Sequence, residues 1–217
     1  MTPTITRRRL LAAGGVGLTG VGSGYVLLER ASGPSTPTCD SSPPAKLDSP
    51  ALGSSNAAVT VAEYVDYSCP HCRDYALNVF PKIRSKFVAS GAVHYVHHDF
   101  PIPVDDWSRP AANAAREVQR LGGDQAMFAY TMALFRRQDD FSYGLFKNFA
   151  DRLNANIDGE KVRQAAKSGA YCKLLNTESK QASNRGVSAT PTVYVNEKKL
   201  EAPSANSLIS AIEKSQQ

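Results

Sequence analysis

Two cysteines at a junction between strand and helix constrain this chain more than any other feature. Val59-Thr60-Val61-Ala62-Glu63-Tyr64-Val65 is an alternating run rich in β-branched and aromatic residues, the pattern of a strand. From Arg73 to Val88, Tyr75, Val79, Ile83 and Phe87 recur every four residues, the spacing of one helix face. Between the two lies Tyr67-Ser68-Cys69-Pro70-His71-Cys72. Pro70 suits a first helical position, because it lacks an N–H that would be unpaired there and presets the backbone angle.

The first turn of a helix has free N–H groups and the positive end of the dipole, and both favour an anion. The thiolate of Cys69 is therefore favoured over its thiol, and Cys72, one turn on, is placed to bond to it. His71 can bring a second positive charge or an N–H to the Cys69 sulfur. A lowered thiol pKa makes Cys69 a good leaving group and stabilises the reduced pair, so the disulfide is the stronger oxidant. The competing use of this spacing is a zinc site, which needs a second pair of ligands. The other cysteines, Cys39 and Cys172, are solitary, and Arg73 in place of histidine removes the c-type haem motif. Residues 92–100 read as a second strand in which His94 and His98 share one face and His97 points to the other, at a strand edge or the site's periphery. A metal-binding module built from Cys69, Cys72 and these histidines stays as a rival. The favoured reading takes no metal and no cofactor.

Thr6-Arg7-Arg8-Arg9-Leu10-Leu11 has the twin-arginine export pattern, and residues 10–28 are uncharged and rich in Gly, Leu and Val. An apolar run of about 20 residues is also long enough to anchor a chain in a bilayer. Residues 1–30 are therefore read as signal or anchor, and 31–55, with Pro34, Pro37, Pro43, Pro44 and Pro50, as a Ser/Pro-rich linker. Either way the remainder is expected outside the cytoplasm: in the periplasm or cell envelope, or secreted. Of the net charge of +5, Arg7, Arg8 and Arg9 supply three and Glu29 cancels Arg30, which leaves +2 for the rest. That balance gives no basis for nucleic-acid binding. Roughly 160 residues remain, enough for one good core. In an oxidising compartment an unpaired thiol is a liability, so Cys39 and Cys172 are expected to form a structural disulfide.

Residues 105–185 are helical by pattern. Ser108-Arg109-Pro110 starts a helix that ends at Gly122-Gly123, and Asp124 caps the next. Val193 to Asn196 and residues 198–201 form a hairpin, and Ser204 or Asn206 starts a final helix.

Cys69-Pro70-His71-Cys72 after an acidic strand, Phe100-Pro101, the helical stretch, and Thr190-Pro191-Thr192 ahead of Val193-Tyr194-Val195 come in the order found in DsbA-type thiol:disulfide oxidoreductases. The chain resembles that family over residues 56–215. The resemblance implies an α/β, thioredoxin-like fold, with residues 56–104 and 186–217 as the thioredoxin-like domain and 105–185 as an inserted helical subdomain. It implies that the disulfide is passed to reduced, unfolded exported proteins and regenerated by a quinone-linked membrane oxidase. It places Glu63, six residues before Cys69, under the disulfide to move protons, with a solvent-facing strand edge as the alternative. It also implies a cis Thr190–Pro191 bond that aims the Thr190 backbone at the cysteines. Asp66 is read as a loop or cap residue. The catalytic candidates are Cys69, Cys72, Pro70, His71, Glu63, Thr190 and Pro191. A reductase or isomerase using the same cysteines is the rival within the class.

Overall fold

A computed structural model describes residues 47–153 and 156–217. Strands β2 (Val59–Val65) and β3 (Val93–Asp99) run parallel in the interior of a five-stranded sheet, with Glu63 opposite His97. Parallel neighbours need a crossover. It consists of α1 (Pro70–Asp74), a π-helical turn Tyr75–Val79, α2 (Phe80–Ile83) and a second π-helical turn Arg84–Val88. Pro81 cannot donate to the preceding turn, and just before it the widened turn carries Phe80 N to Tyr75 O.

β4 (Thr192–Val195) pairs antiparallel with β2, and β5 (Lys198–Leu200) pairs with β4. Asn196, in the turn between them, takes φ 52°, which Asn tolerates better than most residues. On the opposite margin β1 (Ala51–Leu52) pairs antiparallel with Tyr95 and Val96. The stretch read as linker up to residue 55 therefore already contains sheet, and Leu47 packs on the core. Two residues are too few to display an alternation. The sheet order is β1–β3–β2–β4–β5, so β3 is interior and its histidines are not on an edge.

The helical insertion comprises α3 (Ser108–Arg136), α4 (Tyr143–Leu153), α5 (Gly159–Ser168) and α6 (Cys172–Asn184). α3 breaks at Gly123, with φ 77° and ψ −179°, where the sequence predicts the end of a helix. Beyond the break, Asp124 accepts from Ala51 N at 2.9 Å and Gln119 Nε2 at 3.0 Å. Asp158 caps α5 by accepting from Glu160 N and Lys161 N. α7 (Ala205–Ser215) opens on a capping box between Ser204 and Ser207.

On one face of the sheet Val61, Tyr95 and Val193 pack with Phe80 and Ile83 of the crossover and Leu208 and Ile212 of α7. On the other, Tyr64 and Tyr194 pack with Ala182 and Val187. A third cluster joins α3, α4 and α5 to Tyr67, Cys69, Cys72 and Ala76, so the insertion's core runs into the cysteine turn. Each large side chain buried in these clusters is worth about 1.5–3 kcal/mol. Among the described residues no helix is long and apolar enough to cross a membrane. The twin-arginine pattern, the apolar run at 10–28 and Cys39 lie outside the described residues.

Candidate active site

Cys69 is the N-cap of α1, with extended backbone at φ −79° and ψ 121°, and Pro70 follows in the first turn. The turn before it is held from two sides. Cys69 N donates to Asp66 O at 3.1 Å and Ser68 N to Asp66 Oδ1 at 2.7 Å. From the far side Gln138 Nε2 donates to the carbonyls of Tyr67 (2.6 Å) and Cys69 (3.0 Å). Gln138 lies in a short 3₁₀ turn after α3, with no motif or periodicity to mark it in the sequence. The Thr190–Pro191 bond is cis, and Cys69 Sγ donates to Thr190 O at 3.4 Å. The structure thus brings Cys69, Cys72 and Thr190, with Pro191 bonded to it, to one place.

Both sulfurs are free thiols and both are buried, at 5 % exposure for Cys69 and 0 % for Cys72. Exposure therefore separates them little; hydrogen bonding separates them far more. The Cys69 thiol is pulled down from 9.0 to about 5, first by the hydrogen bond from Cys72. Burial opposes the shift, and the Thr190 side chain and the backbone N–H groups of Cys72 and His71 add to it. Cys72 is pushed well up, first by burial and then by the hydrogen bond it gives to Cys69. His71 itself is exposed and acts on the sulfur through its main chain.

Glu63 is buried at 6 % exposure, which disposes of the solvent-facing alternative. Tyr95 Oη donates to its Oε2 at 2.6 Å, and His97 Nδ1 lies 2.8 Å from its Oε1. Tyr75 Oη, from the turn after Cys72, meets Tyr95 Oη at 2.9 Å. The chain of buried polar groups continues. His97 Nε2 lies 3.2 Å from Asp99 Oδ1, Arg116 Nε donates to Asp99 Oδ2 at 2.5 Å, and Arg116 Nη2 donates to both oxygens of Glu178. Burial lowers the affinity of His97 for a proton, but Asp99 and Glu63 outweigh it and push the ring up to about 9. Burial likewise opposes ionisation of Asp99, yet Arg116 and His97 hold it at about 2. His97 thus spends both ring nitrogens inside the fold. Among the described residues no group of three His, Cys, Asp or Glu side chains is arranged to hold a metal ion.

Asp66, read from sequence as a loop or cap residue, is 1 % exposed. Its N–H lies 3.5 Å from Cys72 Sγ. Burial, followed at a distance by the Cys69 thiolate and Asp105, pushes its carboxyl up to about 7 against the hydrogen bond from Ser68 N and the neighbouring Ser108 side chain. The cap reading holds, since Ser68 N donates to its Oδ1; its burial is what the sequence does not show. Cys172 is disulfide-bonded, and Cys39, its expected partner, lies outside the described residues.

A family model described as thioredoxin matches residues 46–214. The chain belongs to the thioredoxin family. Disulfide bond formation protein D of Bacillus subtilis is 30% identical over 154 residues, which cover 69% of this chain and 68% of that protein. The crystal structure of oxidised BdbD from Bacillus subtilis superposes with a TM-score of 0.71 at 28% identity, covering 77% of this chain and 92% of the other. DsbA of Chlamydia trachomatis shares the fold with the same TM-score at 20% identity, over 83% of this chain and 97% of that one. Within the family the chain is a thiol:disulfide oxidoreductase of the DsbA type. Its fold is the family's α/β sheet with a helical insertion.

Proposed function

We propose that this protein is an extracytoplasmic dithiol oxidase that passes the Cys69–Cys72 disulfide to reduced, unfolded exported proteins. The observation that carries this direction is the split between the sulfurs, with Cys69 drawn down to about 5 and Cys72 driven up. A thiolate stable at neutral pH favours the reduced pair, so the disulfide gives itself away readily. Cys69 is the exchanging sulfur and Cys72 the resolving one. Pro70 starts the helix, and His71 supplies one N–H to the thiolate. The backbone of Thr190, turned by Pro191, pairs with the substrate chain like an added strand. Glu63 lies under the site with its carboxyl held by Tyr95 and His97.

Residues 1–30 direct export or tether the chain, and a membrane oxidase of the quinone-linked type regenerates the disulfide. Cys39 and Cys172 close a structural disulfide. The relatives' names support the reading, since one is called a disulfide bond formation protein. Equilibration of the cysteine pair with glutathione tests it. The expected potential is more oxidising than about −180 mV, the value for protein disulfide isomerase. A potential near that of thioredoxin, about −270 mV, overturns the oxidase and leaves a reductase. Cys72→Ala traps mixed disulfides through Cys69; trapping by Cys69→Ala instead reverses the two roles.

A further inference from the structure

Three residues where α3 ends grip the turn that carries Cys69. Tyr67 Oη lies 3.3 Å from Thr131 Oγ1, its ring centre lies 5.4 Å from that of Phe135, and its carbonyl accepts from Gln138 Nε2 at 2.6 Å. Positions 131, 135 and 138 follow at intervals of four and three, one helix face prolonged into the 3₁₀ turn Gln138–Asp140. The same Gln138 amide donates to Cys69 O at 3.0 Å, from 69 residues further along the chain. The main chain of Cys69 is thus fixed on both sides. Its N–H donates to Asp66 O at 3.1 Å, and its carbonyl accepts from Arg73 N at 3.1 Å as well as from Gln138. Beside Gln138, at the surface, Asp139 Oδ2 accepts from Arg73 Nη1 at 2.7 Å.

We propose that Gln138 is a positioning residue for disulfide exchange, holding the Tyr67–Cys69 backbone so that the Cys69 sulfur stays against Thr190 and the helix start when the disulfide is open. The two redox states need this hold unequally. In the oxidised pair the S–S bond itself keeps Cys69 against Cys72. In the dithiol only non-covalent contacts do so: Cys69 Sγ lies 3.4 Å from Thr190 O, and the main-chain N–H groups of His71 and Cys72 act on the sulfur. An interaction shifts an equilibrium only by as much as it favours one state over the other. Gln138 therefore favours the dithiol and makes the disulfide the stronger oxidant. With glutathione, the disulfide and two glutathione thiols give the dithiol and glutathione disulfide. Two electrons pass to the protein sulfurs, one proton stays on Cys72, and the other leaves Cys69 for solvent at neutral pH. Gln138 exchanges neither electron nor proton.

The inference rests on disulfide exchange at Cys69 and not on its net direction in the cell. The test equilibrates the full chain with glutathione at neutral pH and follows the thiolate absorbance of Cys69 against pH. Gln138→Met keeps the length of the side chain and loses its donor. Its equilibrium constant toward the dithiol should fall by about threefold or more, with the Cys69 titration moving up. Gln138→Asn is one methylene too short to span both carbonyls and should fall likewise, which keeps the test open where Gln138→Met does not fold. Gln138→Lys keeps a donor at this reach and should match or exceed the wild-type constant. Asp139→Asn removes only the exposed ion pair and should stay within about twofold of wild type. Urea unfolding of both redox forms closes the cycle, and Gln138→Met should weaken the dithiol form more than the disulfide form. Equal losses in the two forms with an unchanged constant reduce Gln138 to a structural contact and overturn the proposal. So does a shift in Asp139→Asn as large as that in Gln138→Met, or a Gln138→Lys constant as low as that of Gln138→Met. Each of these leaves exchange intact, whereas a wild-type protein that does not equilibrate with glutathione overturns exchange itself.

Discussion

Removing the Cys72 sulfur should raise the Cys69 pKa, and by a calculable amount. The hydrogen bond from Cys72 is the largest influence lowering Cys69 to about 5. A hydrogen bond to a charged group contributes about 1.5–3 kcal/mol. At about 1.36 kcal/mol per pKa unit that is about 1–2 units, so Cys72→Ala should leave Cys69 titrating at about 6–7. At pH 6 the thiolate fraction then falls from about nine-tenths to about one-half or less. The rate of alkylation by iodoacetamide as a function of pH measures this directly, since in the reduced wild type Cys72 is buried and not ionised. His71→Ala keeps the backbone N–H that acts on the sulfur, so it should shift the pKa in the same direction but by less. A Cys72→Ala protein whose Cys69 still titrates near 5 would refute the reasoning. The thiolate would then be held by Thr190 and the two main-chain N–H groups alone.

Three further perturbations test the buried polar groups. Arg116→Met strips Asp99 and Glu178 of their shared cation and should cost about 3–5 kcal/mol in urea unfolding; a loss below about 1 kcal/mol would contradict the ion-pair account. His97, raised from 6.5 to about 9, contributes stability that is fully present below its unfolded value and is lost as pH rises through about 9. Denaturation of the oxidised protein, in which neither active-site thiol titrates, should show this decline, and His97→Gln should flatten it. Gln138→Ala leaves the Tyr67 and Cys69 carbonyls without their donor and should cost about 1–2 kcal/mol, with faster amide exchange across residues 67–72 as the local readout.

The sheet, the cysteine turn and the break in α3 were open to sequence reasoning because each rests on a local pattern. Val59 to Val65 alternates, Pro70 and Gly123 punctuate, and Asn196 turns a hairpin between two strand runs. What escaped depends on partners far away in the chain. Glu63 shows in sequence as a carboxylate in a strand, but its position inside the fold depends on Tyr95, His97, Asp99, Arg116 and Glu178, which share no motif. The histidines of β3 look peripheral until β1 covers their strand, and β1 is two residues long. Asp66 is the sharpest case. Its turn position is correctly read, and its burial depends on groups distant in the chain, Ser108 at the start of α3 among them.

The two margins of the sheet bear on where a polypeptide can lodge. A free sheet edge is a template for any extended chain that meets it. Here one margin is β1, whose Ala51 N–H is already taken by the Asp124 side chain. The other is β5, three residues long and carrying Lys198 and Lys199. Neither offers a long, flat, uncharged ladder. Among the described residues, an extended chain therefore meets no long free ladder at either margin, and the backbone at Thr190 lies beside Cys69 in the interior of the fold.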